Sequence, residues 1–135
     1  IPKDCKFEMK HAILGGGGFM ATNSMFFKRE CLNKRPDWMD KAPVGDLPLM
    51  LLLASQGKMG YIDEVMGAYR AMTPNSWSST MRDRQKNKKH HFAILKMWDD
   101  FDTWTNKKYH QFVVRKKFKN KWNYLKGRTI VLVRK

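Results

Sequence analysis

The chain has 135 residues, of which 42% are hydrophobic and 13% aromatic, so it can form one folded domain, and this composition argues against overall disorder. Its formal net charge of +15 is uneven: residues 1–70 hold 10 basic and 8 acidic side chains, a net of +2, while residues 71–135 hold 17 and 4, a net of +13. Two cysteines are too few for a disulfide scaffold, which favours a cytoplasmic setting, and no apolar run is long enough to span a bilayer.

Four consecutive glycines occupy residues 15–18. Glycine loses more backbone entropy on ordering than any other residue, so the run predicts a loop, or a place where another group approaches the backbone closely. A phosphate-binding P-loop would end in Gly-Lys-Ser/Thr, whereas Phe-Met-Ala follows at residues 19–21. We therefore interpret the run as a flexible or site-lining loop.

The next segments predict short strands and a short helix. Residues 19–27 carry apolar side chains on both alternating faces, which predicts a strand covered on both sides. Residues 28–34 predict a short helix with Cys31 and Leu32 turned inward. Residues 59–70 predict a strand pair or one interrupted strand.

The strongest helix signal begins at Asp46, which is expected to be the N-cap, and Gly57 is expected to end the helix. Pro48 is tolerated in a first turn. The segment is apolar nearly all round, so we expect it to be buried. An acid at this position has two interpretations, a helix cap or a functional carboxylate at the mouth of a sheet.

The second half predicts long basic helices. Ser76 is expected to cap the first, and apolar residues recur at helical spacing along it at Met81, Phe92, Leu95, Trp98 and Phe101. A second helix is expected over about residues 105–126, with four side chains turned inward: Tyr109, Phe112, Val113 and Trp122. Residues 129–133 predict a closing strand. The predicted class is α/β (α+β), a short mixed sheet with a buried helix followed by long basic helices.

Two polar clusters have alternative interpretations. Asp100 and Asp102 flank Phe101 as an Asp-x-Asp pair, which could hold a divalent metal, but neighbouring lysines favour a solvated helix face. His90, His91 and His110 lack companions at metal-ligand spacing and are interpreted as surface residues, so we predict no metal ligands.

Basic residues interleaved with aromatic ones at 86–89 and 115–121 are typical of a surface for nucleic acid or anionic lipid. A lysine-rich solvent face gives the same pattern. Because no nucleic-acid-binding motif accompanies it, nucleic acid is the less favoured partner. A basic, non-enzymatic module of this kind is the alternative function.

Five blocks in order carry a family resemblance: Thr-Asn-Ser-Met-Phe-Phe-Lys-Arg, Pro-Asp-Trp, Gly-Asp-Leu-Pro-Leu, Gly-Lys-Met-Gly-Tyr-Ile-Asp-Glu-Val-Met-Gly-Ala-Tyr-Arg and Ser-Trp-Ser, at residues 22–29, 36–38, 45–49, 57–70 and 76–78. Together they resemble the second half of family-two glycosyltransferases. The resemblance implies a partial GT-A-like domain over residues 1–75 and a basic helical extension over residues 76–135. The donor-binding half, with its Mg²⁺ or Mn²⁺, would precede Ile1.

The resemblance also implies roles for particular residues. Asp46 falls where the family has its catalytic base, since an acceptor hydroxyl needs a carboxylate to take its proton. Thr22, Asn23, Arg70 and Trp77 fall at substrate-binding positions, although Arg70 has an ion pair with Asp63 or Glu64 as its alternative role.

The implied partners are a nucleotide-sugar donor and a glycan or lipid-linked acceptor. The basic helices could then contact an anionic membrane on its cytoplasmic face. Without the donor half, the face that it normally covers would be exposed, and two copies of the chain could associate through that face.

Overall fold

The computed structural model describes residues 6–133 apart from residues 66, 69–72, 75, 77–80 and 82, with side chains described up to residue 127. This part of the chain is mostly helical with a small antiparallel sheet, which is compatible with the α+β class. Its α-helices are α1 (Met9–Gly15), α2 (Asp46–Gln56), α3 (Arg84–Trp104) and α4 (His110–Val133). Its strands, β1 (Lys6–Phe7) and β2 (Met59–Gly60), pair with Lys6 opposite Gly60 and Phe7 opposite Met59.

The core lies where the four helices meet, and it combines residues from both halves of the chain. Ile13 of α1, Leu51 of α2, and Trp98 and Phe101 of α3 are fully buried. Trp38 packs edge-on against Phe101, with 5.9 Å between ring centroids. The basic helices are therefore part of the same hydrophobic core as the first half of the chain.

The carboxyl end of α1 is held by a side chain from α4. Lys116 is buried, and its Nζ donates hydrogen bonds to the carbonyl oxygens of Leu14 at 2.9 Å and Gly15 at 3.0 Å. These are carbonyls that a helix end leaves without intrahelical partners. The chain turns away at Gly16 with a φ of 65°. Burial lowers the pKa of Lys116, and the positive charge of Lys119 lowers it further.

Helix α2 confirms the strongest sequence prediction. It ends at Gly57 as expected. Its buried side chains lie on most sides of the helix, as predicted: Leu47, Pro48, Met50, Leu51, Leu52 and Ala54. Its N-cap is Gly45, so Asp46 is the first helical residue and not the cap.

The predicted strand over residues 19–27 is wrong. Thr22–Ser24 forms a short 3₁₀ helix, and the Ser24 hydroxyl donates to the carbonyl oxygen of Ala21 at 2.7 Å. Thr, Asn and Ser side chains offer the backbone such local hydrogen bonds in place of a sheet ladder. Phe26 is fully exposed, so the apolar alternation does not produce a covered strand.

Further short 3₁₀ helices connect α1 to α2: Gly16–Gly18, Arg29–Lys34 and Asp37–Lys41. All four glycines are helical, Gly15 at the end of α1 and the other three in Gly16–Gly18, so the interpretation of the run as a loop is wrong. The other prediction for the run, a close approach to the backbone, is confirmed by Lys116 against Gly16. A helix at residues 28–34 is confirmed in 3₁₀ form, but Leu32 is exposed and only Cys31 is half-buried. Of the strand pair predicted over residues 59–70, the described residues contain β2 and no further strand at 61–65, 67 or 68, while residues 66, 69 and 70 lie outside the described residues.

Both long helices predicted for the second half are present, but they begin and end at residues other than those predicted. Asp83, and not Ser76, caps α3, since its carboxylate accepts from the Lys86 amide at 2.8 Å. Helix α4 continues through residues 129–133, so the closing strand is wrong. Val113 is buried as predicted, but Trp122 is 52% exposed and does not turn inward.

Candidate functional site

The candidate site is built on the amino end of α2. Because the apolar side chains of α2 are buried in the core, the position of its first turn is held by packing. Asp46 opens that turn and is half-buried. Its Oδ1 accepts a hydrogen bond from the backbone amide of Leu47 at 2.7 Å, which orients the carboxylate.

The second oxygen of Asp46 faces the 3₁₀ helix Thr22–Ser24. The hydroxyl of Thr22 donates to Oδ2 of Asp46 at 3.4 Å, so two predicted site residues separated by 24 positions are in contact. Thr22 itself is exposed, which leaves the site open to solvent on that side. A carboxylate with one oxygen held by the backbone and the other by a weak, exposed hydrogen bond can accept a proton from a bound hydroxyl group.

Asn23 lies beside the segment that follows β2. A Cβ added to Gly67 would lie 3.4 Å from the amide nitrogen of Asn23, so these two stretches of chain are in contact. The structure therefore brings Thr22, Asn23 and Asp46 to one region. The other two predicted substrate-binding residues, Arg70 and Trp77, lie outside the described residues.

A concave feature of the described residues lies away from Asp46. A shallow depression of about 480 Å³ lies at the opposite end of α2, against Gln56, Gly57 and Tyr109, and Asp46 does not line it. Eleven helical residues, about 16 Å, separate the two ends. The carboxylate chemistry and the depression are therefore separate features of the surface.

The Asp-x-Asp pair on α3 differs from the prediction of a solvated face. Asp100 pairs with Lys96 at 2.8 Å on the surface, as expected. Asp102, however, is only 8% exposed, and its Oδ2 lies 2.6 Å from Nδ1 of His110. This pair joins the end of α3 to the start of α4 across a turn in which Asn106 and Lys107 have positive φ. Sequence spacing could not reveal it, because the turn sets which residues meet.

Within the part of the chain that the structure describes, no three His, Cys, Asp or Glu side chains come together to hold a metal ion. In the same residues, no helix has both the length and the apolar character needed to cross a bilayer.

We compared the chain with protein-family models, with curated proteins and with solved structures, and none of the three comparisons found a match.

Proposed function

We propose that this chain is the acceptor-binding half of a family-two, GT-A-type glycosyltransferase, with Asp46 as the general base. The hydrogen bond between Thr22 and Asp46 carries the proposal. The family resemblance assigns both residues to one site, and they are in contact although the strand expected to carry Thr22 is absent.

In the proposed reaction, the acceptor hydroxyl oxygen attacks the anomeric carbon of the donor sugar. The bond from that carbon to the nucleoside diphosphate breaks, and the diphosphate leaves with the bonding electrons. Oδ2 of Asp46 takes the hydroxyl proton as the new glycosidic bond forms, and the backbone amide of Leu47 keeps the carboxylate oriented. Thr22 holds the carboxylate toward solvent, where the acceptor would bind.

Donor binding belongs to a half of the domain that would precede Ile1. Two exposed apolar side chains after β2 support this arrangement, because Ile62 is 60% exposed and Val65 is fully exposed. Phe26, also fully exposed, has the same character. The Mg²⁺ or Mn²⁺ that the family resemblance implies would bind with the donor half.

The test uses the enzyme with its donor half, a panel of nucleotide sugars and measurement of released nucleoside diphosphate in the presence of carbohydrate acceptors. Asp46→Asn should lower turnover by about 100-fold or more and leave donor binding unchanged. Thr22→Val should lower turnover less, because it removes only a positioning hydrogen bond. Asp100→Asn makes the same chemical change on the surface of α3 and should have no effect.

Near-normal turnover of Asp46→Asn would refute the role of Asp46. The 135-residue chain alone should transfer no sugar. Transfer by this chain alone, or a reading frame upstream of Ile1 that encodes no nucleotide-binding half, would refute the proposal as a whole.

A further inference from the structure

Helix α4 has apolar side chains on two opposite sides. One side packs in the core through Val113, which is 2% exposed, and Lys116. The other side carries Val114, Phe118 and Trp122, which are 50%, 69% and 52% exposed. At 3.6 residues per turn, these three side chains fall within an arc of roughly 80°. Large apolar side chains gathered on one exposed side of a helix indicate an interaction surface.

Basic residues border this apolar arc on both sides. Taking Val114 as the origin, Lys121 lies at roughly −20°, while Arg115 and Lys119 lie at roughly +100° and +140°. All three are exposed. We call the apolar arc with its bordering cations the α4 face; it comprises Val114, Arg115, Phe118, Lys119, Lys121, Trp122 and Lys126. Within it, Nζ of Lys126 lies 5.1 Å from the centroid of the Trp122 ring.

From this arrangement we propose that the α4 face binds the surface of an anionic lipid bilayer, with α4 lying in the plane of the interface. Phe118 and Trp122 would enter the boundary between headgroups and acyl chains, and the bordering cations would contact lipid phosphates. Helices that lie in a membrane interface have this composition, with Trp and Phe on one side and Lys and Arg beside them. Trp and Lys are also residues that favour the interfacial depth.

The positive charge of the α4 face favours an anionic bilayer over a second copy of the chain as the partner. Residues 103–135 contain no Asp or Glu, so two α4 faces brought together would place like charges against each other. A bilayer with anionic lipids instead attracts each exposed cation. Nucleic acid would also attract the cations, but an arc that includes an aliphatic side chain beside two aromatic ones fits acyl chains better than phosphates and base edges.

Two further lysines of the basic segment 115–121 are not part of the α4 face, because they bind other parts of the protein. Lys116 is bound to the end of α1, and Lys117 is ion-paired with Asp99 and is only partly exposed. Binding of a membrane by the α4 face does not depend on a catalytic role for Asp46.

The test is co-flotation of the 135-residue chain with vesicles of phosphatidylcholine alone or of equal parts phosphatidylcholine and phosphatidylglycerol. We expect binding to the anionic vesicles that weakens as salt is added, and little binding to the neutral ones. Phe118→Ser with Trp122→Ser should weaken binding by about tenfold or more with unchanged far-UV circular dichroism. The matched control, Ile62→Ser with Val65→Ser, removes two exposed apolar side chains elsewhere and should bind like the parent chain.

A second pair of variants tests the charge. Arg115→Glu with Lys119→Glu should weaken binding much more than Lys88→Glu with Lys89→Glu, which makes the same change in net charge on α3. Asp46→Asn should bind vesicles like the parent chain, so that failure of this proposal and failure of the enzymatic one are distinguishable.

Several results would overturn the inference. One is equal binding to neutral and anionic vesicles, and another is equal loss in the two charge variants. Tighter binding to single-stranded RNA than to vesicles, with the same dependence on Phe118 and Trp122, would assign the face to nucleic acid. A lipid-free dimer that dissociates when those two residues are changed would assign it to a second copy of the chain.

Discussion

Gly16 is a position at which one added methyl group should be costly. Its φ of 65° and ψ of −154° lie in a region that essentially only glycine adopts, at a cost of about 1–3 kcal/mol for other residues. A Cβ there would also overlap with Nζ and Cε of Lys116. Lys116 would have to move, and its hydrogen bonds to Leu14 and Gly15 would be lost or lengthened.

The expected loss of stability can be worked from these two effects. Loss of hydrogen bonds from a charged donor to two helix carbonyls adds about 1–3 kcal/mol, so Gly16→Ala should lower the free energy of unfolding by about 2–6 kcal/mol in total. For a domain of this size that corresponds to a fall in Tm of about 10 °C or more. Urea denaturation followed by circular dichroism measures the change directly.

The neighbouring glycine is the matched control. Gly17 has no atom within 4 Å of an added Cβ, and its φ is not positive, so Gly17→Ala should change the free energy of unfolding by less than about 1 kcal/mol. If the two variants have the same stability, the reasoning about Gly16 is refuted.

A double-mutant cycle separates the clash from the backbone strain. Lys116→Ala alone should destabilise the protein, because the Leu14 and Gly15 carbonyls lose their donor. In that background, Gly16→Ala should cost only its backbone strain, so the double variant should be more stable than the sum of the single changes predicts by about 1 kcal/mol or more. Strict additivity would show that Lys116 and the residue at 16 do not interact.

The remaining predictions concern a histidine and the core. Burial first, then Lys121 and His90, lowers the pKa of His91, whose ring stacks on Tyr124 at 4.0 Å between centroids. The unfolded chain therefore binds a proton more readily than the folded chain as the pH is lowered through about 6.5. The free energy of unfolding should decrease as the pH is lowered, and more steeply than in His91→Phe, which keeps an aromatic ring; parallel pH profiles would contradict this. Phe101→Ala removes a fully buried ring and should cost about 3–5 kcal/mol, measured by urea denaturation. Phe92→Ala, which removes a 56% exposed ring from the same helix, should cost far less, and similar losses would refute the assignment of Phe101 to the core.

Helix α2 could be predicted from the sequence because its signals are local. An apolar segment without charge after Asp46, with a glycine to end it, leaves one buried helix as the simplest structure, and the structure confirms it. The strand over residues 19–27 could not be excluded in the same way. Its apolar alternation is real, but the hydrogen bonds of Thr22–Ser24 decide the local structure, and they are not part of a hydrophobicity pattern.

Trp122 shows a different limit. Periodicity gives the side of a helix on which apolar residues fall, and α4 has them on two sides. Nothing in the pattern says which side faces the core. Similarly, the glycine run indicated a close approach, but the partner, Lys116, is 100 residues away and could be found only in the fold.

The candidate site could be predicted only from the family resemblance, and not from the residue pattern. Residue spacing does not predict that Thr22 and Asp46 meet, because they lie 24 positions apart and on elements of different kinds. The Asp102 and His110 pair had no such guide, and the structure alone identified it.

The hydrogen bonds from Lys116 also determine when α1 can become stable during protein synthesis. Helix α1 has seven residues, which is too short to be stable in water on its own. The lysine that caps it lies 102 positions after Leu14, so it leaves the ribosome only after the residues between them have been made. Helix α1 is therefore synthesised well before the side chain that caps it. A ribosome paused before residue 116 would hold a chain in which α1 is still uncapped and open to proteases and chaperones.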